Sequence, residues 1–243
     1  MASPTASFSS ISKISKWVVW WTIFDILTFI IALILLSYEN LQYLVASVID
    51  TTILDINLLN TTTIFIGIIG LIVILFWFHR ANKNIHAFGA KEITSPRMAV
   101  IWWFVPIFHL WKPYDIAQEI WKASNPHLNI INGTEWKHSP ASDIIKLWWI
   151  LGILSFFVFI IGGFFTPIGN VDEYVSSDQQ SQDSEGSNDK WIRQYSGGAY
   201  KEAFYANFVF MSGNILLIAS DIFFIRTIRQ ISVRQEIKAG KSI

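Results

Sequence analysis

Four ionisable residues sit in or at the edge of long apolar runs, where a charge is costly and rarely idle. Asp25 lies eight residues into the run 17–38, Asp221 near the end of the run 203–225, and His79 and Arg80 close the run 61–79. Two acids and two bases at similar depth are the ingredients of a buried polar cluster. One chemistry open to them is a proton or ion path. The plainer reading, and the preferred one, is a structural ion pair that fixes helix packing, or side chains that reach interfacial water. His79 and His109 are of the type that holds a haem axially. However, His109 belongs to a separate short block, and no other residue supports a cofactor.

The runs that position these residues set the class. Across 243 residues, 52% are apolar and only 15% charged, a balance skewed away from soluble domains. Runs 17–38, 61–79, 146–168 and 203–225 each approach the roughly 20 residues that cross a bilayer as a helix. The first exceeds a signal-peptide core and lacks a small-residue cleavage site, so it reads as an anchor. With no Cys, the chain has no disulfide, thiolate metal site or thiol nucleophile. G-x-S-x-G, H-E-x-x-H, P-loop and G-x-G-x-x-G patterns are missing too, which leaves no catalytic, metal or cofactor set to name and leans away from an enzyme.

A fifth apolar block, 98–111, reaches only about 21 Å as a helix and carries Pro106 in its middle. It is too short to cross. The expected fold is all-α and polytopic, with four transmembrane helices plus an interfacial or re-entrant helical element at 97–124. Charge sorting supports this count. With four spans, 15 of the 18 Lys and Arg residues share one side, and Lys190, Arg193 and Lys201 face ten acids on the other. The positive-inside rule then places both termini in the cytoplasm. Residues 1–16 and 239–243 read as tails around a single membrane domain, 17–238.

The outer loops differ. Leu41, Leu44, Val45, Val48 and Ile49 fall at helical spacing, as a surface helix or as a continuation of the first span. Residues 172–190 are Ser, Gln and Asp rich, without the apolar content to offset chain entropy, and are expected to be disordered. Their six acids lack EF-hand spacing.

Eleven of twelve Trp residues lie at the inner ends of spans or within 80–146, which points to a protein layer in one headgroup zone. There, Pro113 suits the first turn of a helix that places Tyr114, Ala117, Ile120 and Trp121 on one face and ends at Ser124-Asn125-Pro126. The candidate lipid or partner platform comprises Arg97, Trp102, Trp103, Pro106, Trp111, Lys112, Pro113, Tyr114, Trp121 and Lys122. Small and polar residues of the fourth run, Asn207, Ser212, Gly213, Asn214 and Ser220, with Gly67 and Gly70 of the second, suit close helix packing.

Arg80-Ala81-Asn82-Lys83-Asn84, Ser95-Pro96, Trp102-Trp103-Phe104-Val105-Pro106, Trp111-Lys112-Pro113-Tyr114 and Glu119-Ile120-Trp121-Lys122-Ala123-Ser124 form an ordered series. It resembles the bacterial integral-membrane family known as domain of unknown function 4328, which has several spans around a W-W-F-x-P…P-Y…E-x-W-x-A-S core. The resemblance covers about residues 17–238, including the closing Arg-Gln-Ile…Arg-Gln-Glu at 229–236. The long acidic outer loop departs from it, and Asp25 and Asp221 are not carried over. The resemblance implies a membrane location and bacterial origin but no reaction.

The reading that follows is an inner-membrane interaction or regulatory scaffold with a cytoplasmic-face platform for membrane lipids, anionic ones among them, or for a protein partner. Nucleic acid is not expected, and a homo-oligomer is compatible. The alternative is a small oligomeric transporter or channel that uses Asp25 and Asp221. Topology is directly testable because the chain has no Cys. Single cysteines at Ser7, Ser181 and Ser242 should react with an impermeant thiol reagent in intact cells only at position 181. Labelling at 242 would overturn the four-span arrangement.

Overall fold

In lipid the backbone must satisfy its own hydrogen bonds, so apolar runs of this length become helices. The computed structural model describes residues 7–45, 56–164 and 189–240, with side chains placed for 7–38, 40–41, 65–164 and 204–240. All regular structure among them is helical: α1 (Ser12–Val45), α2 (Ile56–Ala87), α3 (Met98–Ile101), α4 (Pro106–His109), α5 (Lys112–Ala123), α6 (Asp143–Phe164) and α7 (Asp189–Lys238), with a 3-10 turn at Glu135–His138. Four segments, Ser12–Tyr38, Phe65–Ala87, Asp143–Phe164 and Phe204–Lys238, are long and apolar enough to cross a membrane.

The helices outrun the apolar runs. α2 continues to Ala87 rather than stopping at 79, and α7 continues to Lys238 rather than 225. α1 extends to Val45, so its first outer residues prolong the span, whereas 46–55 lie outside the described residues. Most of the acidic stretch 172–190 is outside them too, and its last two residues already belong to α7.

The block 98–111 is not a helix that crosses. It forms two four-residue helices around an extended Val105 (φ −93°, ψ 106°), the conformation preferred before proline, with Pro106 at the start of α4. α5 begins with Pro113 in its first turn and stops at Ala123, as the spacing predicts. Its face is rotated from the expected one. Pro113, Ile116, Ala117, Gln118, Ile120 and Ala123 are buried, while Tyr114 and Trp121 stay half-buried.

The chain forms two compact units, 1–28 with 54–153 and 217–243, and 29–53 with 154–216. In the first, the extended ends of α2 and α7 build a domain with α5 and the start of α1. Its fully buried side chains include Trp77, Phe78, Ile85, Ile116, Ile120, Ile145, Ile228 and Ile231. Two buried amides inside this core, Gln235 and Asn84, are bonded to one another and to three further segments of the chain. Gln235, fully buried, donates through Nε2 to the Ala81 carbonyl and the Ser124 hydroxyl, both at 3.0 Å, and its Oε1 accepts from Asn84 Nδ2 at 2.9 Å. Asn84 also donates to the Ser9 carbonyl and accepts from the Ser9 amide, at 2.9 and 3.0 Å. The two amides therefore join the N-terminal segment, α2, the end of α5 and α7. The expected free tail is thus anchored, and α1 starts at Ser12.

A second chain of donors runs nearby. The Trp77 indole donates to Ser15 Oγ (2.9 Å), and Ser232 Oγ donates to the Ile228 carbonyl (2.6 Å). Ser232 has one proton, so in its 2.6 Å contact with Ser15 the Ser15 hydroxyl is the donor. Lys238 Nζ binds the Ala123 and Asn125 carbonyls at 2.9 and 3.0 Å, placing a cation at the C-terminus of α5. Arg234 stacks over the Trp121 ring at 3.8 Å. Higher in this unit, the Trp21 indole donates to the Ile66 carbonyl (3.2 Å) across a gap that Gly70 leaves open, where a Cβ would stand 2.4 Å from the indole nitrogen.

The second unit packs by ring into glycine. A Cβ on Gly162 would meet the Phe210 ring at 2.9 Å, and one on Gly213 the Phe159 ring at 3.1 Å. Polar residues of α7 serve mainly their own helix: Ser212 bonds Val209 and Asn214 bonds Phe210. Ser220, in the first unit, does cross, donating to the Trp148 carbonyl at 3.0 Å.

Replacing Gln235 takes a bond from three buried polar groups, and a buried group left unpaired costs about 1–3 kcal/mol. Gln235→Leu, similar in volume, is expected to lower the detergent-solubilised Tm by several degrees. A Tm equal to wild type would show that the amide network is dispensable.

Candidate functional site

The platform residues do not share one surface. Trp103 is wedged inward against Phe78, His109 and Trp149, with ring centroids at 5.2, 5.7 and 6.2 Å. His109 Nδ1 lies 2.9 Å from the Trp103 carbonyl, closing the loop between α3 and α4. Trp149 Nε1 donates to the Leu110 carbonyl at 2.9 Å, which holds the block at the level where α6 begins its apolar run. Trp102 and Trp111 both pack against Phe108, at 4.6 and 5.3 Å. Pro113 is buried, Trp121 lies beneath Arg234, and Arg97 stands exposed at the start of α3.

What does form a continuous feature is the outer face of the block. Ile101, Phe104, Ile107, Phe108, Leu110 and Trp111 are all exposed, Phe104 at 63% and Ile107 at 69%. Of these residues only Trp111 belongs to the sequence-derived set, although 101, 104, 107, 108 and 111 recur every three or four residues. Such a recurrence is an apolar stripe in its own right.

The platform lysines face acids. Lys112 lies 3.7 Å from Asp115, and both are partly exposed. Lys122 lines a shallow cavity of about 310 Å³ together with Tyr114, Asp115, Gln118, Glu119, Trp136 and Ala141. The cavity is walled from below by firm contacts. Gln118 and Ser142 bond reciprocally at 2.8 and 2.9 Å, Glu119 accepts from the Thr94 amide at 3.0 Å, and the Trp136 indole donates to the Lys91 carbonyl at 2.9 Å.

The polar turn that precedes the block is equally built. α2 ends at Gly89 (φ +90°), where the Ala90 amide reaches Ile85 and the Gly89 amide reaches His86, a closure that needs a left-handed residue. Glu135 accepts from the Asn132 and Gly133 amides at 2.7 and 3.0 Å, and these bonds hold its carboxyl below the usual range. Lys137 pairs with Glu92 and lowers that carboxyl likewise. Asn132 and Gly133 thus form a turn closed by the Glu135 carboxylate.

The expected four-residue polar cluster separates into two places. Asp25 and Asp221 do lie within electrostatic range of each other, and Asp25 Oδ2 is 3.4 Å from where a Gly70 Cβ would be. His79 and Arg80 are nine and ten residues further along α2, about 13–15 Å by helix rise. Arg80 instead shares a cavity with Ser10, Lys13 and Ile14 at the start of α1. Among the described residues neither acid has an ion-pair partner. Equal residue counts from the ends of the apolar runs implied equal depth, but α2 runs on as a helix beyond its apolar stretch, so its basic end lies below the acids. Among the described residues, no group of three or more His, Asp and Glu comes together as a metal site.

Four apolar helices, a non-crossing aromatic block and a polar domain at their charged end define a multi-pass helical membrane protein. The chain belongs to the family described as Domain of unknown function (DUF4328), which matches residues 56–232. That match confirms the resemblance carried by the motif series, over a shorter range than 17–238 and without α1. Neither the curated proteins nor the solved structures contain a match to the chain.

Because neither acid has an ion-pair partner among the described residues, replacing one carboxyl by an amide breaks no ion pair. Asp25→Asn is expected to hold or raise the detergent-solubilised Tm. A fall of several degrees would show that Asp25 has a stabilising polar partner after all.

Proposed function

We propose that this protein is a membrane-resident interaction or regulatory scaffold of a bacterial inner membrane, with both termini in the cytoplasm and a platform lying against the inner leaflet. The charge sorting supports the orientation, since the polar domain and both chain ends carry 15 of the 18 Lys and Arg residues. The observation that carries the platform is the exposed ridge Ile101, Phe104, Ile107 and Trp111, held by Trp103 and Trp149 at the level where α6 begins its apolar run. A ridge of this kind buries its apolar side chains among headgroups and upper acyl chains, while the adjoining polar domain stays in water. Trp and Tyr beside it suit the same layer. The packed polar domain, with its shallow cavity of mixed charge around Tyr114, Glu119 and Lys122, then faces the cytoplasm as a surface for a partner.

A second reading, a small oligomeric transporter or channel, is favoured by one observation: Asp25 and Asp221 neighbour each other within the spans without a cationic partner among the described residues. A single chain of four spans gives it little room for a solute path.

The ridge is tested with a nitroxide on Ile107→Cys in liposomes, the chain having no Cys of its own. Collisions with oxygen should exceed those with a water-soluble nickel chelate, as for a lipid-facing site. The reverse order would place the ridge in water and overturn the platform.

A further inference from the structure

Where α1 begins and the apolar part of α2 ends, a cavity of about 340 Å³ is lined by Ser10, Lys13, Ile14 and Arg80. No acid lines it. The acid behind it is Glu236, buried, whose Oε1 accepts from the Ser10 hydroxyl at 2.5 Å and the Ile11 amide at 3.1 Å. Lys13 and Arg80 are both exposed and come from different helices, so two cations converge on one opening with Ser10 between them. Like charges brought together this way are relieved by an anion. A phosphate suits the pair, because the guanidinium fork binds two oxygens while the ammonium adds a mobile point charge.

The direction of the two helices says what the phosphate is attached to. α1 leaves the cavity towards the membrane, and α2 arrives from it. One turn deeper on the face of Lys13 stands Trp17, 66% exposed; one turn deeper on the face of Arg80 stands Phe76, 64% exposed. On both walls, then, a cation at headgroup depth is followed by an aromatic side chain open to lipid. Trp20, Phe24 and Ile72 continue the exposed apolar surface beyond them. A free phosphate has no use for this second tier, whereas a diacyl lipid needs both.

We propose that this groove binds one anionic phospholipid, with its phosphate between Lys13 and Arg80 and its acyl chains along Trp17 and Phe76. The site rests on the membrane reading above but not on the ridge or the platform lysines. In consequence, the lipid that the protein retains is held by α1 and α2, apart from the surface offered to a partner.

Native mass spectrometry of the full chain, released from detergent across a titration of phosphatidylglycerol against phosphatidylcholine, tests it. K13Q/R80Q is expected to retain phosphatidylglycerol at least about tenfold less than wild type, at roughly the contribution of two surface cations. K13R/R80K should keep most of the retention. K112E/K122E, altered on the platform only, should match wild type, so a failure of the platform and a failure of the groove give different patterns. Equal retention by wild type and a folded K13Q/R80Q would overturn the proposal. Full displacement of the lipid by excess inorganic phosphate would overturn it as well, by showing a site for the free anion.

Discussion

Gln235 is the point on which the polar domain turns. A primary amide buried without water must place both N–H groups and its carbonyl oxygen, or lose much of the stability that burial of its neighbours provides. Here all three are placed, on α2 (Ala81 and Asn84) and at the end of α5 (Ser124). The arrangement requires α2 and α7 to remain helical well past their apolar runs, because only then do Asn84 and Gln235 reach the same level. It also requires α5 to stop at Ser124, since the hydroxyl that Gln235 uses belongs to the residue after the helix. One side chain thus ties the ends of three helices together. Asn84 passes the constraint on to Ser9, and Lys238 and Arg234, within one turn of Gln235, close the same end of α5 through its carbonyls and Trp121.

This explains why the motif series is scattered along the chain. Arg80 to Asn84, Glu119 to Ser124 and the closing 229–236 are far apart in sequence, yet Ala81, Asn84, Ser124 and Gln235 meet. The other two pieces, Trp102 to Pro106 and Trp111 to Tyr114, shape the ridge and the start of α5. The motif series therefore includes residues of a buried polar junction and of the aromatic block in the same unit.

The spans, the failure of 98–111 to cross and the start of α5 at Pro113 were legible because each follows from length, composition or proline chemistry in a single stretch. What stayed hidden depends on pairs. Gln118 reads as a solvent residue until Ser142 is found opposite it, and that pairing turns the face of α5 away from Tyr114 and Trp121. The polar end of α7 lies past the apolar run that ends at 225, and Arg229, Arg234 and Lys238 mask the buried Ile228, Ile231 and Gln235 between them. Depth was misjudged for His79 and Arg80 for the same reason: nothing local says that α2 keeps its helix beyond the apolar run.

The two kinds of environment are held together by different forces. In the lipid-facing parts, apolar surface gains nothing by leaving hydrocarbon, so helices meet where size permits: an indole over Gly70, phenyl rings over Gly162 and Gly213, one hydroxyl from Ser220. The polar domain borders water, where burying Ile85, Ile116, Ile120, Ile228 and Ile231 is favourable at about 25 cal/mol per Å². Gln235 and Asn84 would be costly there if left open, and each is paired. The tryptophans fall where these regimes meet, with Trp77, Trp103, Trp148 and Trp149 each presenting a large apolar surface to the core or the lipid. At least Trp77 and Trp149 also use the indole N–H on a partner. Their crowding at one end of the spans therefore marks the side on which the chain built this domain.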